Sequence, residues 1–289
     1  MLKTVWLNEQ PNSEQGVAML LGGFDGLHAG HRKLLKKAKE SGLLVGLMTI
    51  MGGKDGNSLF TDAERELIFK EAGVDFVFEL PFAEIKNLSA LEFLQILERE
   101  FAPKLFVCGE DFRFGLQAKG TPNFIKEHTQ VCVEVLPLVE INGEKVSATK
   151  VKCLLSEGKA EEVKQCLTHE FFLIGEVFSD RKIGRTIGFP TANILYPKGK
   201  YPLKKGVYET RTVVNGKAYK GITNYGARPT FDDETVLTET YLDGFSGDLY
   251  GKSLKVEFVR FLREIKKFDS AEALKKQLNE DIARVRNHD

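Results

Sequence analysis

Val17-Ala18-Met19-Leu20-Leu21-Gly22-Gly23-Phe24-Asp25-Gly26-Leu27-His28-Ala29-Gly30-His31 runs from an apolar segment, through a glycine-rich turn, to a pair of histidines. The apolar segment is of strand length, and a helical stretch follows over about His31–Ser41, so the sequence reads as a strand turning into a helix. The same alternation continues downstream. Leu43–Ile50 is a second apolar run. Thr61-Asp62-Ala63-Glu64 fits a capping box and opens a helix that ends near Gly73. Val74–Leu80 reads as a strand, Ser89-Ala90-Leu91-Glu92 opens another boxed helix, and Lys104–Gly109 and Val131–Leu136 complete the strand set. Apolar strands alternating with helices predict a parallel sheet covered on both faces.

From Phe171 the pattern changes. Phe171–Phe178, Gly206–Val214, Lys217–Asn224, Leu237–Asp243 and Ser253–Phe261 read as strands separated by glycine-containing turns, with an Asn215-Gly216 hairpin signal. This pattern predicts a compact antiparallel barrel. Ser270–Arg286 places Leu274, Leu278, Ile282 and Val285 on one helical stripe. The 289 residues are long for one domain and sufficient for two. The expected division is 1–158, α/β, and 159–289, antiparallel β with a terminal helix.

Lysine plus arginine equals aspartate plus glutamate, 41 against 41, which disfavours a general nucleic-acid or anionic-membrane binder. No apolar run approaches the roughly 20 residues that span a bilayer. Met1–Gln15 lacks an apolar core followed by a small-residue cleavage site. Cys108, Cys132, Cys153 and Cys166 form no CxxC pair. A cytoplasmic protein with reduced thiols, monomeric or weakly associated, is expected.

The glycine turn carries the first chemical pattern. In an open parallel sheet, ligands bind at the carboxyl ends of strands. Glycine lets backbone approach a phosphate, and a helix N-terminus supplies unpaired N–H groups. Gly23, Phe24, Asp25, Gly26 and Gly30 frame that turn, while His28 and His31 point to one side of it. Their N–H groups suit negative charge growing on a phosphate in transfer. A lone HxGH reads more simply as two solvated histidines; the strand before it and the helix after it favour a phosphate site. No third ligand accompanies the histidines, so metal ligation is not expected. In Val107-Cys108-Gly109-Glu110-Asp111-Phe112-Arg113-Phe114-Gly115, Asp111, Phe112 and Phe114 either hold a planar ring or simply pack a tight loop on the core. Val146-Ser147-Ala148-Thr149-Lys150-Val151-Lys152 opens a helix. Ser147, Thr149 and Lys152 there suit a triphosphate, and a plain N-cap with exposed lysines is the alternative.

Gly184-Arg185-Thr186-Ile187-Gly188-Phe189-Pro190-Thr191-Ala192-Asn193 carries the second pattern. Gly184, Arg185 and Gly188 belong to a loop able to wrap phosphates, and Pro190 stiffens its exit. Thr191 and Asn193 flank Ala192, so on a strand they share a face. Their oxygens are hard ligands suited to Mg²⁺ beside a nucleotide. Glu239 shares a strand face with Leu237 and Tyr241; alone it reads as an exposed edge-strand glutamate, and together with the loop above it is the candidate base.

The residues of the first half resemble the nucleotidyltransferase superfamily with the HxGH signature, and more narrowly the FMN adenylyltransferase module of prokaryotic FAD synthetases. That resemblance implies a Rossmann-like domain in which His28 and His31 engage ATP phosphates. It also places Asp111, Phe112 and Phe114 by the flavin, with the Ser147–Lys152 helix start assisting the nucleotide. Two segments depart from the family. Its Phe-Asp-Pro-His-Pro-like stretch reads Thr49-Ile50-Met51-Gly52-Gly53-Lys54-Asp55 here, and its Ser-Ser-Thr-x-Ile-Arg reads Ser147-Ala148-Thr149-Lys150-Val151-Lys152. The second half resembles riboflavin kinase through Gly184–Asn193, Gly206-Val207-Tyr208, Asn224-Tyr225-Gly226-Ala227-Arg228-Pro229-Thr230, Glu239, Asp248-Leu249-Tyr250-Gly251, Leu262-Arg263 and Lys267-Phe268. The resemblance implies that Thr191 and Asn193 hold Mg²⁺–ATP, that Glu239 is catalytic, and that Arg263 lies near the flavin. The family's usual histidine two residues after that glutamate is Tyr241 here. The order of the two resemblances is that of the bifunctional riboflavin kinase/FAD synthetases. The implied ligands are riboflavin, FMN, FAD and ATP. A homologue keeping one activity, kinase first, and a non-catalytic flavin-binding regulator are the competing expectations.

Overall fold

A computed structural model describes residues 3–8, 16–51, 57–179, 188–227 and 236–288. Contacts divide the chain into two compact units, Met1–Lys150 and Val151–Asp289.

In the first unit the strands are β1 (Lys3–Trp6), β2 (Val17–Leu21), β3 (Leu44–Met51), β4 (Phe76–Pro81), β5 (Leu105–Gly109) and β6 (Cys132–Leu136). They form one sheet in the order β1-β4-β3-β2-β5-β6. Pairing is parallel from β4 to β6, and β1 joins β4 antiparallel. The chain winds outward from β2 through β3 to β4, then crosses back to β5. The strand order therefore reverses between β2 and β5, where an open α/β sheet leaves a crevice.

Between the strands lie α1 (Ala29–Glu40), α2 (Asp62–Glu71), α3 (Phe82–Ile85), α4 (Ala90–Phe101) and α5 (Pro122–His128). Met19 and Leu21 of β2 face a core shared with Phe93, Leu94 and Leu97 of α4 and Ile125 of α5. Ala18 and Leu20 alternate to the other face and are equally buried. Helix α1 lies against β2, β3 and β5. Each fully buried side chain of this size contributes about 1.5–3 kcal/mol, so the alternation itself holds the sheet between its helices. Both expected capping boxes are present, Thr61 with Glu64 and Ser89 with Glu92. A two-stranded ribbon, β7 (Glu140–Ile141) with β8 (Glu144–Lys145), leads into α6 (Ala148–Glu157), which is followed by α7 (Ala160–Leu167). The ribbon, β1, α3, α5 and α7 lie outside the elements the sequence pattern predicts, although α7 buries Ala160, Val163, Cys166 and Leu167 on one helical stripe.

In the second unit β9 (Phe171–Glu176), β10 (Thr191–Leu195), β11 (Gly206–Val214), β12 (Lys217–Ala227), β13 (Val236–Leu242) and β14 (Ser253–Arg263) form one sheet in the order β10-β13-β12-β11-β14-β9. Every pairing is antiparallel. The sheet curls until its outer strands approach, and Phe178 N–H donates to the Asn193 carbonyl at 3.0 Å. The inner face is closed by Tyr208, Val256 and Phe258 and by a run of buried threonines. Thr223 Oγ1 lies 2.9 Å from both Thr210 Oγ1 and Thr240 Oγ1, so these polar groups satisfy one another across three strands. On the outer face, α8 (Ala271–Arg286) buries Ile282 and Val285 against Val207, Ile222 and Phe189. Strands β12 and β14 run three and two residues further than the sequence pattern predicts. That extension brings Asn224 into a strand interior and Arg263 onto a ladder.

Candidate active sites

The first site begins where β2 ends. The helix expected from His31 starts at Ala29, because His28 caps it: His31 N–H donates to His28 Nδ1 at 3.3 Å. Nδ1 of His28 is thus an acceptor, and the proton of the neutral ring sits on Nε2. His31 Nδ1 faces the Gly26 carbonyl at 3.0 Å and must carry its ring's proton. The two rings stack with centroids 3.6 Å apart. Their roles therefore differ: neutral His28 offers an Nε2–H donor, whereas His31 gains a second donor only by taking up a proton. Desolvation, then the charge of Lys145, lowers His28 from its ordinary value near 6.5 to about 4. Desolvation and the neighbouring His28 hold His31 well below its ordinary value. An arriving anion opposes both shifts.

The glycines make this geometry possible. Gly26 has φ +108°, and a Cβ there would stand 2.9 Å from the Phe60 ring. A Cβ on Gly30 would crowd the His28 ring at 3.1 Å, while one on Gly23 would meet nothing, leaving the backbone open. The first turn of α1 carries no acidic side chain, and its leading amides have no helical acceptor. Phe24 is fully buried with its ring 4.4 Å from that of His31. Asp25 accepts from Leu59 N–H through both oxygens at 2.9 Å. These two residues brace the turn from behind.

Strand β5 lies beside β2, with Leu21 opposite Cys108, so its loop opens on the same crevice. Phe114 is buried among Phe93 and Phe124, and the half-buried Phe112 stacks on it at 5.3 Å. Asp111 pairs with Lys145 of β8, and both act electrostatically on His28. Ser147 accepts from Lys150 N–H at 3.2 Å and so caps α6. Thr149 is exposed. In the second unit Lys152 Nζ lies 5.4 Å from the centre of the Tyr201 ring. Gly52–Asp55 lie outside the described residues.

The second site is a row across the barrel. Asn193 of β10 is directly opposite Glu239 of β13, which is opposite Asn224 of β12. Asn224 is opposite Val207 of β11, and Val207 is opposite Arg263 of β14. Directly paired residues share a face, so Asn193, Glu239, Asn224 and Arg263 all stand on the outer face, alongside α8. Thr191 joins them: its hydroxyl is 3.4 Å from Asn193 Oδ1. Those two oxygens converge as hard ligands for a divalent cation require. Thr191 and the exposed Pro190 border a cleft of about 370 Å³ that Phe245, Asp248 and Tyr250 also line. Gly188 has φ +83° at the entrance to this strand. Gly184 and Arg185 lie outside the described residues, as do Arg228–Thr230. Tyr241 packs its ring 4.9 Å from Phe189. Arg263 reaches into α8, where Nε and Nη2 pair with Asp281 Oδ2 at 2.9 and 2.8 Å. Asp281 is fully buried and also accepts from Gln277 Nε2 at 3.0 Å.

Residues 10–150 match the FAD synthetase family model, and residues 167–288 match the riboflavin kinase family model. A bifunctional riboflavin kinase/FMN adenylyltransferase of Pseudomonas fluorescens is 32% identical over 290 residues, covering 94% of this chain and 93% of that protein. The chain belongs to the bifunctional riboflavin kinase/FMN adenylyltransferase family. The Bacillus subtilis member is 31% identical over 283 residues, covering 91% of this chain and 89% of that protein. A solved Streptococcus pneumoniae structure, described as a macrolide-efflux protein, superposes with a TM-score of 0.88 at 28% identity over 96% of each chain. Among the described residues, no helix is long and apolar enough to cross a membrane.

Two residues of this family member escaped the sequence reading as site components. Asn224 touches Glu239, and Asp281 occupies the guanidinium of Arg263. Asn224 stands inside a string that carries the family resemblance, but nothing in that string says which residue it pairs with. Asp281 lies in a helix whose pattern marks only its apolar stripe.

Proposed function

We propose that the chain carries out two successive transfers: riboflavin plus ATP to FMN and ADP, then FMN plus ATP to FAD and pyrophosphate. The kinase chemistry is assigned to 159–289 and the adenylyl transfer to 1–158. The observation that carries the reading is Glu239 standing directly opposite Asn193 on the neighbouring strand, with Thr191 beside them.

In the kinase step the Glu239 carboxylate takes the proton of the ribityl hydroxyl as that oxygen attacks the γ-phosphorus of ATP. Thr191 and Asn193 would hold Mg²⁺, which when bound offsets charge on the nucleotide phosphates. The loop containing Gly184, Arg185, Gly188 and Pro190 is assigned to the nucleotide. Arg263 is assigned to the flavin end of the row, its direction set by Asp281. In the second step a phosphate oxygen of FMN attacks the α-phosphorus of ATP. His28 Nε2–H and the leading amides of α1 stabilise the charge that develops there. Gly23 leaves room for the approach, and Gly26, Gly30, Phe24 and Asp25 hold the turn. Asp111, Phe112 and Phe114 are assigned to the flavin, and Ser147, Thr149 and Lys152 to the nucleotide side. The reading carries with it a cytoplasmic enzyme, monomeric or weakly associated, that meets ATP and flavins rather than nucleic acid or membrane.

Product analysis tests it. Purified protein with riboflavin, ATP and Mg²⁺ yields FMN and then FAD; started from FMN it yields FAD and pyrophosphate. FMN accumulating with no FAD from either start restricts the chain to the kinase. Flavin binding without ATP turnover overturns both steps.

A further inference from the structure

We infer that Asn224 is the positioning residue for the kinase base: its carboxamide holds one oxygen of Glu239 and so fixes the direction from which the carboxylate meets the substrate hydroxyl. This inference rests on the kinase reading above. Asn224 Nδ2 lies 3.2 Å from Glu239 Oε2. An ionised carboxylate only accepts, so the amide presents its NH₂ to it.

The backbone under Asn224 has little freedom to move. Strand β12 is paired along both edges, to β11 and to β13. The residues on either side of Asn224 are anchored in the barrel interior. Thr223 is fully buried in its hydroxyl chain with Thr210 and Thr240, and the Tyr225 hydroxyl accepts from Leu203 N–H at 3.2 Å. Both anchors point inward, so Asn224 is presented outward at a set height in the row.

A glutamate has three side-chain torsions to order. A donor fixed on the adjacent strand orders them before substrate arrives. Other charged and titratable groups on this face include Tyr241 on β13, Arg263 on β14 paired with Asp281 of α8, Lys220 of β12 reaching the Val285 carbonyl, Arg286 of α8 paired with Asp243, and, in the next row, Glu209 of β11 paired with Arg260 of β14 and His288.

The test compares wild type, Asn224→Ala, Asn224→Asp and Glu239→Gln in FMN formation from riboflavin and Mg²⁺–ATP. For Asn224→Ala, kcat falls about tenfold and both KM values stay within about twofold, because the contact orients a catalytic group and does not grip a substrate. For Asn224→Asp kcat falls at least as far, because a second carboxylate faces the first in place of a donor. Wild-type kcat in Asn224→Ala overturns the inference. So does a loss expressed only in KM. Thermal unfolding identifies a variant that fails to fold; if Asn224→Ala does so, the near-isosteric Asn224→Asp decides alone, and wild-type kcat there overturns the inference. If wild type makes no FMN, the kinase reading falls and this assignment with it. If wild type makes FMN and Glu239→Gln does not, a normal Asn224→Ala overturns the Asn224 role alone.

Discussion

His28 and His31 stand three residues apart on one helical turn, whereas Glu239 and Asn224 meet from positions fifteen residues apart on separate strands. The first site is a property of a continuous stretch of chain. A glycine turn, an N-cap and the leading amides of a helix arrive together because they are consecutive. The second site is a property of register. A slip of one residue in β13 would send Glu239 into the barrel interior and Thr238 or Thr240 outward. The local site is accordingly sensitive to what happens to one loop's backbone and electrostatics. The row is sensitive to single side chains, because the backbone under Glu239 and Asn224 is held by ladders on both sides.

Four measurements test that contrast. The largest effect is expected at the row: Glu239→Gln lowers FMN formation by roughly 10³-fold, the middle of the range for general-base catalysis. FAD formation from FMN persists in that variant, and a comparable loss of both activities would deny the separation of the sites.

Acidification gives the next effect, on the local site. His28 sits near 4 in the folded protein against about 6.5 unfolded, so the unfolded chain binds a proton first as pH falls. Stability of the N-terminal unit is therefore full above about 6.5 and declines toward about 4, by about 3 kcal/mol in total. Denaturant titrations of that unit's transition at pH 7 and near pH 4.5, in wild type and His28→Asn, should show the decline shrinking in the variant. An identical decline in both would remove His28 as its cause.

His28→Ala lowers FAD formation from FMN about 10²-fold, as expected for one lost donor to developing charge. FMN formation from riboflavin should be untouched, and product-specific chromatography reads both. The smallest effect is Gly26→Ala. It forces a side chain onto a left-handed backbone and against Phe60, costing about 1–2 kcal/mol in unfolding of the N-terminal unit. A neutral result would mean that the turn relaxes, weakening the view of a rigid local cradle.

Much of the first site was legible in the sequence, because its signals are short-range. The two capping boxes, the glycine turn and the histidine spacing each depend on contacts within a few residues. Even so, neighbours in the motif take different tasks. Phe24 and Asp25 sit within the same string as the histidines, but Phe24 is fully buried against the His31 ring and Asp25 accepts from Leu59 N–H. The direction of Asp25 depends on a segment more than thirty positions away. Ser147 likewise reads as a phosphate ligand or a cap, and its bond to Lys150 N–H shows the cap. Arg263 is the sharpest case: the motif places it by the flavin, while its guanidinium is engaged by Asp281 on α8. That pair exists only once the helix docks on the barrel.

By itself the sequence determined the two fold classes and the strand-to-helix turn that carries His28 and His31. Period, caps and glycine are encoded within a turn or two of chain, where local sterics and hydrogen bonds decide. The tertiary structure alone decided that Asn193, Glu239, Asn224 and Arg263 form one lateral row, and that Asp281 holds the last of them. Strand register and helix docking are set by many weak packing contacts summed over distant residues, and no local pattern reports that sum.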